Sequence, residues 1–200
     1  MIKRHFTHIA TQLETLTRKN VDGKRLYRTP DKISTQASNR GTSVHKLCED
    51  YCLNLDMEDK VMPANKDMFM AIKKELDANV DNIHSVEGFL YSNFLRVAGQ
   101  VDLIAEYKGK LSIIDFKTSK KKKPESWIQG YFIQESAYAF MFEERTGIKV
   151  PQLVTIIGVD GESEPQVFIK NAKERNEYLL EFIKLRESFD LSHKGLYGSL

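Results

Sequence analysis

Apolar residues recur along this chain with two periods, one helical and one strand-like. The helical period places an apolar residue every three or four positions and predicts four helices. Their approximate ranges are Thr42–Leu55, Asn65–Val80, Ser126–Thr146 and Ala172–Phe189. Shorter β-prone runs between and after the helices predict five strands. Their approximate ranges are His84–Tyr91, Phe94–Glu106, Leu111–Lys117, Gln152–Val159 and Gln166–Lys170.

Glycine-containing turn signals join several of these runs. Lys108-Gly109 and Asp160-Gly161-Glu162 each predict a hairpin turn, and Asp22-Gly23 predicts a further hairpin within residues 1–30. The order is helices, a three-strand meander, a helix, a hairpin and a helix. This order predicts an α/β domain with a central mixed β-sheet flanked by helices. We expect one domain over residues 1–200, with its core in residues 40–190.

The composition is that of a globular protein, since 200 residues, 41% of them hydrophobic, suffice for one full core. No run of about 18 apolar residues occurs, and the N-terminus lacks the apolar segment of a secretory signal. We therefore expect a cytoplasmic protein without a membrane partner. The two cysteines, Cys48 and Cys52, exclude a disulfide framework, a four-cysteine zinc site and an iron–sulfur cluster. The net charge of +2 indicates no partner, because an average hides local patches.

The turn at Lys108-Gly109 fixes a register for the strands on either side of it. A two-residue turn there places Asp102 directly opposite Asp115 and Gln100 opposite Lys117. Since side chains alternate along a strand, Asp102, Asp115 and Lys117 then share one face. The other face carries four apolar residues, which are Val101, Leu103, Ile114 and Phe116. A bulge or a different turn would shift this register.

Two opposed carboxylates suggest a cation site. Directly opposed residues have Cβ atoms roughly 4.5–5.5 Å apart, so Asp102 and Asp115 need a shared proton or a cation between them. Oxygen ligands favour a hard divalent ion such as Mg²⁺ or Mn²⁺. Lys117 could then contact a phosphate oxygen or orient an attacking water. The alternative is a solvated polar face with a cross-strand ion pair, which the apolar residues on both strands disfavour.

Five sequence elements resemble the PD-(D/E)xK nuclease superfamily, in its RecB-like branch. Three of them follow the pattern GxxD, DxK and QxxxY, at Gly99–Asp102, Asp115–Lys117 and Gln134–Tyr138. Upstream, Arg40-Gly41-Thr42-Ser43-Val44-His45 resembles the helical histidine motif of that branch. The stretch Lys24–Pro30 resembles the subgroup of phage exonucleases and the mitochondrial genome maintenance exonuclease. The resemblance implies the restriction-endonuclease-like α/β core.

The resemblance also implies roles for the matching residues. The expected metal ligands are His45, Asp102, Asp115 and the backbone carbonyl of Phe116, and Lys117 is the expected catalytic lysine. The acidic residue Glu87 corresponds to one that some members place beside the metal. Gln134 and Tyr138, at i and i+4 on one helix, would brace the site or contact nucleic acid. A lone histidine on a helix is more often a partly buried, hydrogen-bonded residue, but the Gly-Thr-x-Val-His context of His45 favours a metal ligand. Glu49 one turn later could orient its ring.

Basic and polar residues around these motifs are candidates for nucleic-acid binding. They are Arg40, Ser119, Lys120 and Lys121, and the lysine run that continues to Lys123 follows the DxK strand directly. Such a run is a solvated surface in most proteins, but here it would lie at the mouth of the site and meet phosphates. The aromatic residues of the next helix have core spacing, and Glu143 near its end has the character of a surface residue.

Relatives in the RecB-like branch carry a longer segment between the stretch like Lys24–Pro30 and the helix that begins near Arg40. Here only residues 31–39 intervene. This indicates a shortened loop, or a mobile loop that the given sequence omits. Because that region helps to cover the substrate strand in relatives, the sequence does not determine the path of that strand here.

Taken together, the residues and the resemblance predict a metal-dependent DNA exonuclease acting on single-stranded or frayed ends with Mg²⁺ or Mn²⁺ and without an iron–sulfur cluster. Its expected partners are DNA and replication or recombination proteins. Two alternatives share the same residues: a structure-specific endonuclease, and a catalytically silent DNA-binding module on the same fold. The intact set of Asp102, Asp115 and Lys117 disfavours the silent module.

Overall fold

A computed structural model describes residues 32–56 and 63–192, with side chains in 40–56 and 65–192. The elements are α1 (Lys32–Cys52), α2 (Pro63–Asn79), β1 (Val80–Ser92), β2 (Val97–Tyr107), β3 (Lys110–Ser119), a short 3₁₀ helix (Glu125–Trp127), α3 (Gln129–Thr146), β4 (Gln152–Val159), β5 (Gln166–Lys170) and α4 (Ala172–Ser192). Within these ranges no helix combines the length and the apolar character that a membrane span requires. The predicted hairpin of residues 1–30 and the Lys24–Pro30 motif lie outside them.

Most predicted elements are confirmed, and the bounds of β4 and β5 coincide with the prediction. Helix α1 begins at Lys32, well before the predicted start at Thr42, so most of the segment 31–39 is helical instead of forming a loop. The early turns of α1 are polar, and a helix without an apolar period leaves no such signal in the sequence. Residues 94–96, predicted as the start of a strand, lie in the turn of residues 93–96 between β1 and β2.

The five strands form one mixed sheet in the order β1-β2-β3-β4-β5, which confirms the predicted architecture. All neighbouring pairs are antiparallel except β3 and β4, which run parallel. Helix α3 makes the crossover between these two parallel strands, as such a connection requires. Both strands of the parallel pair contact α3.

Apolar clusters cover both faces of the sheet. One face packs against α3 and α4 through a cluster that includes Val101, Ile104, Ile113, Met141 and Phe182. The other face packs against α1 and α2 through a cluster that includes Val44, Ile72, Leu103, Ile114 and Phe116. Because helices cover both sides, the buried strand β4 reads as a nearly continuous apolar run.

The turn at Lys108-Gly109 sets the predicted register of β2 and β3. Both residues have positive φ, 51° and 73°, as a type I′ hairpin turn requires. Pairing then runs from Tyr107–Lys110 to Leu103–Ile114, which confirms the predicted register over these positions. Pairing ends there, one step before Asp102 and Asp115.

The predicted division of the hairpin faces holds for Leu103, Ile114 and Phe116 but is wrong for Val101, which lies on the α3 side. The cause is a bend in β1 at Glu87, a non-glycine residue with a φ of 49°. Around this bend the alternation changes, because Val86, paired with Leu103, packs on the α1 side while Val101, paired with Gly88, packs on the other. Asp102 therefore lies at the bend itself.

The helix α3 is anchored by a buried ion pair that the sequence did not reveal. Glu143, predicted as a surface residue, is buried and accepts two hydrogen bonds from the Arg175 guanidinium of α4. It also accepts the N–H of Val150 at 2.8 Å. A surface prediction failed here because the partner lies on another helix, far along the chain.

Candidate active site

The carboxylate of Asp102 lies where β2 and β3 separate. Its Oδ2 accepts a 2.8 Å hydrogen bond from the backbone N–H of Phe116 and lies 3.4 Å from Nδ1 of His45. Burial raises the pKa of the Asp102 carboxyl, and the nearby charge of Asp115 raises it further. The end of the strand pairing thus leaves a carboxylate that one backbone donor holds in place, close to a second acidic residue.

Three side chains from three elements converge at this bend. They are His45 of α1, Glu87 of β1 and Asp102 of β2, and one ligand atom from each lies within 4.8 Å of the other two. The set offers one imidazole nitrogen and two carboxylates, and carboxylates suit hard divalent ions such as Mg²⁺ and Mn²⁺. Asp102 and Glu87 lie close together in partial burial, which a cation would relieve. The residues therefore fit a divalent metal ion.

Glu87 was predicted to support the site, and its backbone explains how it reaches the group. A left-handed φ on a non-glycine residue costs about 1–3 kcal/mol and is often found at functional sites. Burial raises the pKa of the Glu87 carboxyl to about 7, with further contributions from the charges of Asp102 and Glu49. The strained bend thus holds a carboxylate where its ionisation is unfavourable without a cation.

Asp115 and Lys117 form an ion pair on the α3 side of the bend. Asp115 is buried and lies outside the His45, Glu87 and Asp102 group, although its charge acts on Asp102. Burial alone would lower the pKa of the Lys117 ammonium, but the charges of Asp115 and Asp102 outweigh it and raise that pKa. The amine of Lys117 is therefore held as a cation beside the acidic group.

Helix α3 contributes the other predicted residues. The amide of Gln134 donates to the hydroxyl of Tyr138 at 3.3 Å, as their i, i+4 spacing allows. Tyr138 is buried, and burial followed by the charges of Asp115 and Asp102 raises the pKa of its phenol. The structure thus brings the QxxxY residues beside the acidic pair.

Glu135 and Tyr131 of α3 also border the site, although neither was predicted to do so. The fully buried Glu135 accepts a hydrogen bond from Oγ1 of Thr155, while its Oε2 has no hydrogen-bond partner among the described residues. Burial, and then the charge of Asp115, raises the pKa of Glu135 well above its usual value. A charged residue inside an otherwise apolar helix segment was the one signal for it in the sequence.

Tyr131 lies between two lysines. Nζ of Lys117 is 5.1 Å from the centre of its ring and Nζ of Lys123 is 5.2 Å from it. Lys123 also donates to the Tyr131 hydroxyl at 2.8 Å. This contact links the ammonium of the ion pair to the lysine run, although helical spacing had assigned the aromatic residues of α3 to the core.

The residues expected to bind nucleic acid lie around the site in different states. Arg40 reaches Asp160 at 3.5 Å, and the Ser119 hydroxyl donates to the carbonyl of Lys121 at 2.7 Å. Lys120 and Lys121 are exposed. Their role in binding stays a prediction.

Glu49, expected to orient His45, pairs with Lys46 at 2.8 Å. The rings of His45 and Phe116 pack in a T-shaped arrangement, with centroids 6.3 Å apart. Among the described residues, the Phe116 ring and the Asp102 carboxylate, 3.4 Å from Nδ1, therefore position the imidazole.

Comparison with known proteins gives a family match and partial relatives. A model of the PD-(D/E)XK nuclease superfamily matches residues 64–190. The chain is 33% identical over 85 residues to Mitochondrial genome maintenance exonuclease 1 of Xenopus tropicalis, covering 42% of this chain and 24% of that protein. It is 41% identical over 54 residues to the Homo sapiens protein of the same name, covering 27% and 15%. The match thus spans a quarter or less of these relatives.

A solved structure of a Eubacterium rectale protein, provisionally described as an exonuclease, aligns with 88% of this chain and 68% of that chain. The sequence identity is 15% and the TM-score is 0.46.

Proposed function

Because the chain belongs to the PD-(D/E)XK nuclease superfamily, we propose that it is a metal-dependent DNA exonuclease acting on single-stranded or frayed ends with Mg²⁺ or Mn²⁺. The observation that carries this proposal is the convergence of two features at one bend. One is the His45, Glu87 and Asp102 group, and the other is the ion pair of Asp115 with Lys117. A cation site beside a fixed ammonium suits phosphodiester hydrolysis.

His45, Glu87 and Asp102 would hold the cation, with Asp115 and the carbonyl of Phe116 as the further ligands that the resemblance to the superfamily implies. A divalent ion at such a site supplies Lewis acidity and lowers the pKa of water. The hydrogen bond from Phe116 keeps the Asp102 carboxylate turned toward this group before any ligand binds. This prior arrangement reduces the reorganisation needed on binding.

Lys117 would act as a positive charge and not as a general base. Its pKa is raised by Asp115 and Asp102, so the amine keeps its proton at neutral pH. An ammonium at this position stabilises the negative charge that develops on the phosphoryl oxygens. Asp115 fixes the lysine from one side, and the Tyr131 ring contacts it from another.

The proposal is tested by incubating end-labelled linear and circular DNA, single- and double-stranded, with Mg²⁺ or Mn²⁺ and with EDTA. The wild type is compared with Lys117→Ala and with a matched control, Lys110→Ala, an exposed lysine on the same strand. We expect short products from linear DNA only, none in EDTA, loss of cleavage by at least about 100-fold in Lys117→Ala, and wild-type activity in the control.

Cleavage of circular DNA would replace the exonuclease with a structure-specific endonuclease. Absence of metal-dependent cleavage of any DNA or RNA by the wild type would contradict the enzyme proposal. Binding of DNA without cleavage would then favour the silent DNA-binding module.

A further inference from the structure

Two aromatic side chains lie exposed on the hairpin of β1 and β2, next to the acidic group. Phe89 is 59% exposed and Tyr91 is 44% exposed. Leu90 and Ser92, which alternate with them, are buried, and Leu90 belongs to the cluster on the α3 side. Because side chains alternate along a strand, Phe89 and Tyr91 point away from that cluster, on β1, the edge strand of the sheet.

This exposed face continues directly from the candidate active site. Glu87 precedes Phe89 by two residues on β1, and on β2 Gln100 pairs with Phe89 and is followed two residues later by Asp102. The amide of Gln100 donates to the carbonyl of Glu87 at 3.1 Å and so fixes the two strands at this step. Glu87, Phe89 and Tyr91 therefore follow one another along β1, and a step of about 7 Å separates Phe89 from Tyr91.

The space around the second ring is also defined. Tyr91 pairs with Ala98, whose small side chain leaves the ring uncovered on the sheet. The guanidinium of Arg145 lies 4.4 Å from the centre of the Tyr91 ring. This contact orders the ring, and the same guanidinium, at the end of α3, pairs with Glu144 at 3.2 Å.

Single exposed apolar residues are normal on protein surfaces, but two aromatic rings in line with a phosphodiester site have a specific use. Bases of a single strand stack on aromatic side chains with little dependence on sequence. The step between the two rings is comparable with the separation of successive bases in an extended strand. A duplex keeps its bases stacked on one another, so the rings favour a single strand over a duplex.

We propose that Phe89 and Tyr91 form an aromatic stripe on which successive bases of a single DNA strand stack as the strand leads to the His45, Glu87 and Asp102 group. This inference rests on the proposed function, because it takes its ligand from it. The stripe selects single strands, and the cation site and Lys117 do not supply this selectivity. The stripe acts on binding of the substrate and not on the chemical step.

The test measures binding of dye-labelled oligothymidylates of increasing length by fluorescence anisotropy in EDTA, where no cleavage occurs. Phe89→Ala and Tyr91→Ala are each expected to raise the Kd for single strands about 5- to 150-fold. Leu180→Ala, which removes another exposed apolar side chain on α4, is the control and should bind as the wild type does. Binding of blunt duplex DNA should change less than twofold in all variants.

A second pair of variants separates stacking from general apolar contact. Phe89→Leu keeps apolar area without an aromatic face and should bind weakly, whereas Phe89→Trp should bind at least as well as the wild type. In steady-state cleavage of single strands, Phe89→Ala should raise KM and leave kcat within about twofold. Melting temperatures of these variants should match the wild type, because the rings are exposed.

The outcomes distinguish this inference from the proposed function. Wild-type binding by Phe89→Ala and Tyr91→Ala, or full binding by Phe89→Leu, would overturn the stripe even in an active nuclease. Equal losses of affinity for single strands and for duplex DNA would also overturn it. A loss of affinity accompanied by a lower melting temperature would overturn it as well. A protein that binds single strands through both rings but cleaves nothing would support the stripe and contradict the nuclease proposal.

Discussion

The backbone N–H of Phe116 donates a 2.8 Å hydrogen bond to Oδ2 of Asp102, at the point where the pairing of β2 with β3 has ended. The same oxygen lies 3.4 Å from the imidazole of His45. One carboxylate therefore completes the hydrogen bonding of a strand and faces the cation-binding group. Its structural and chemical roles can be separated by substitution.

Asp102→Asn should remove metal binding while preserving the fold. The asparagine carbonyl can still accept the N–H of Phe116, and loss of the charge relieves repulsion with Asp115, so the metal-free melting temperature should hold or rise. Asp102→Ala leaves that N–H unpaired and should cost about 1–3 kcal/mol. Thermal melts with and without Mn²⁺ check this. Mn²⁺ should raise the melting temperature of the wild type and of the control Asp67→Asn, but not of the two Asp102 variants. Equal destabilisation by Asp102→Asn and Asp102→Ala would contradict the hydrogen-bond role.

The sequence was sufficient where local chemistry decides the structure. The positive φ values at Lys108 and Gly109 follow from residues that suit a tight turn, and the register from Tyr107–Lys110 to Leu103–Ile114 follows from that turn. Strands β4 and β5 were found at their observed bounds because the Asp160-Gly161 turn separates two β-prone runs.

The sequence was insufficient where distant contacts decide the structure. The bend at Glu87 has no signature, because a glutamate adopts a left-handed φ only when surrounding packing imposes it. That bend moves Val101 to the other face and brings Glu87 into the group with His45. Buried partners of charged residues, such as Thr155 for Glu135, likewise depend on tertiary packing.

Breaking the ion pair of Glu143 and Arg175 should be strongly destabilising. Either Glu143→Ala or Arg175→Ala removes one partner of a buried ion pair, which typically costs about 3–5 kcal/mol. The loss should be smaller for Arg175→Ala, because Glu143 keeps its contact with Lys149 at 3.3 Å. The double variant Glu143→Leu with Arg175→Met should lose less than the sum of the two single changes. Urea unfolding measures these differences. Lys173→Ala, an exposed residue on the same helix, is the control and should change stability by less than about 0.5 kcal/mol.

Glu135 should tolerate glutamine but not alanine. Burial and Asp115 favour its protonated carboxyl, and glutamine is likewise neutral and can accept the hydrogen bond of Thr155. Glu135→Ala leaves this buried hydroxyl without its acceptor and should cost about 1–3 kcal/mol. Urea unfolding and cleavage rates check both variants. Loss of activity in a fully stable Glu135→Gln would show instead that an ionised Glu135 takes part in the reaction.

Tyr131 should influence Lys117 through its ring more than through its hydroxyl. Tyr131→Phe keeps the ring contact at Lys117 and loses only the hydrogen bond from Lys123, so kcat should fall by less than about threefold. Tyr131→Leu removes the cation–π contact, about 0.5–2 kcal/mol, and should lower kcat about 2- to 30-fold. Steady-state kinetics on single strands measures both variants. Equal losses would place the effect in the hydroxyl.

The raised pKa of Glu87 predicts how stability of the metal-free protein depends on pH. In the folded state the carboxyl keeps its proton up to about pH 7, whereas an unperturbed glutamate releases it near 4.5. Between these values the folded state binds more protons than the unfolded state, so the free energy of unfolding falls as pH rises from 4.5 to 7. Glu87→Gln removes this titration. Its melting temperature in EDTA should therefore gain on that of the wild type across this window and run parallel to it above.

Metal binding should show the opposite dependence, because a cation favours the ionised carboxylate. The affinity for Mn²⁺ should rise with pH up to about 7 in the wild type, with proton release on binding. Glu87→Gln should bind Mn²⁺ weakly and with less change over the same range. Titration calorimetry in buffers of different ionisation enthalpy measures both quantities, with the exposed Glu187→Gln as a control. If the melting temperatures of the wild type and Glu87→Gln differ by a constant amount from pH 4.5 to 8, the raised pKa of the Glu87 carboxyl is contradicted.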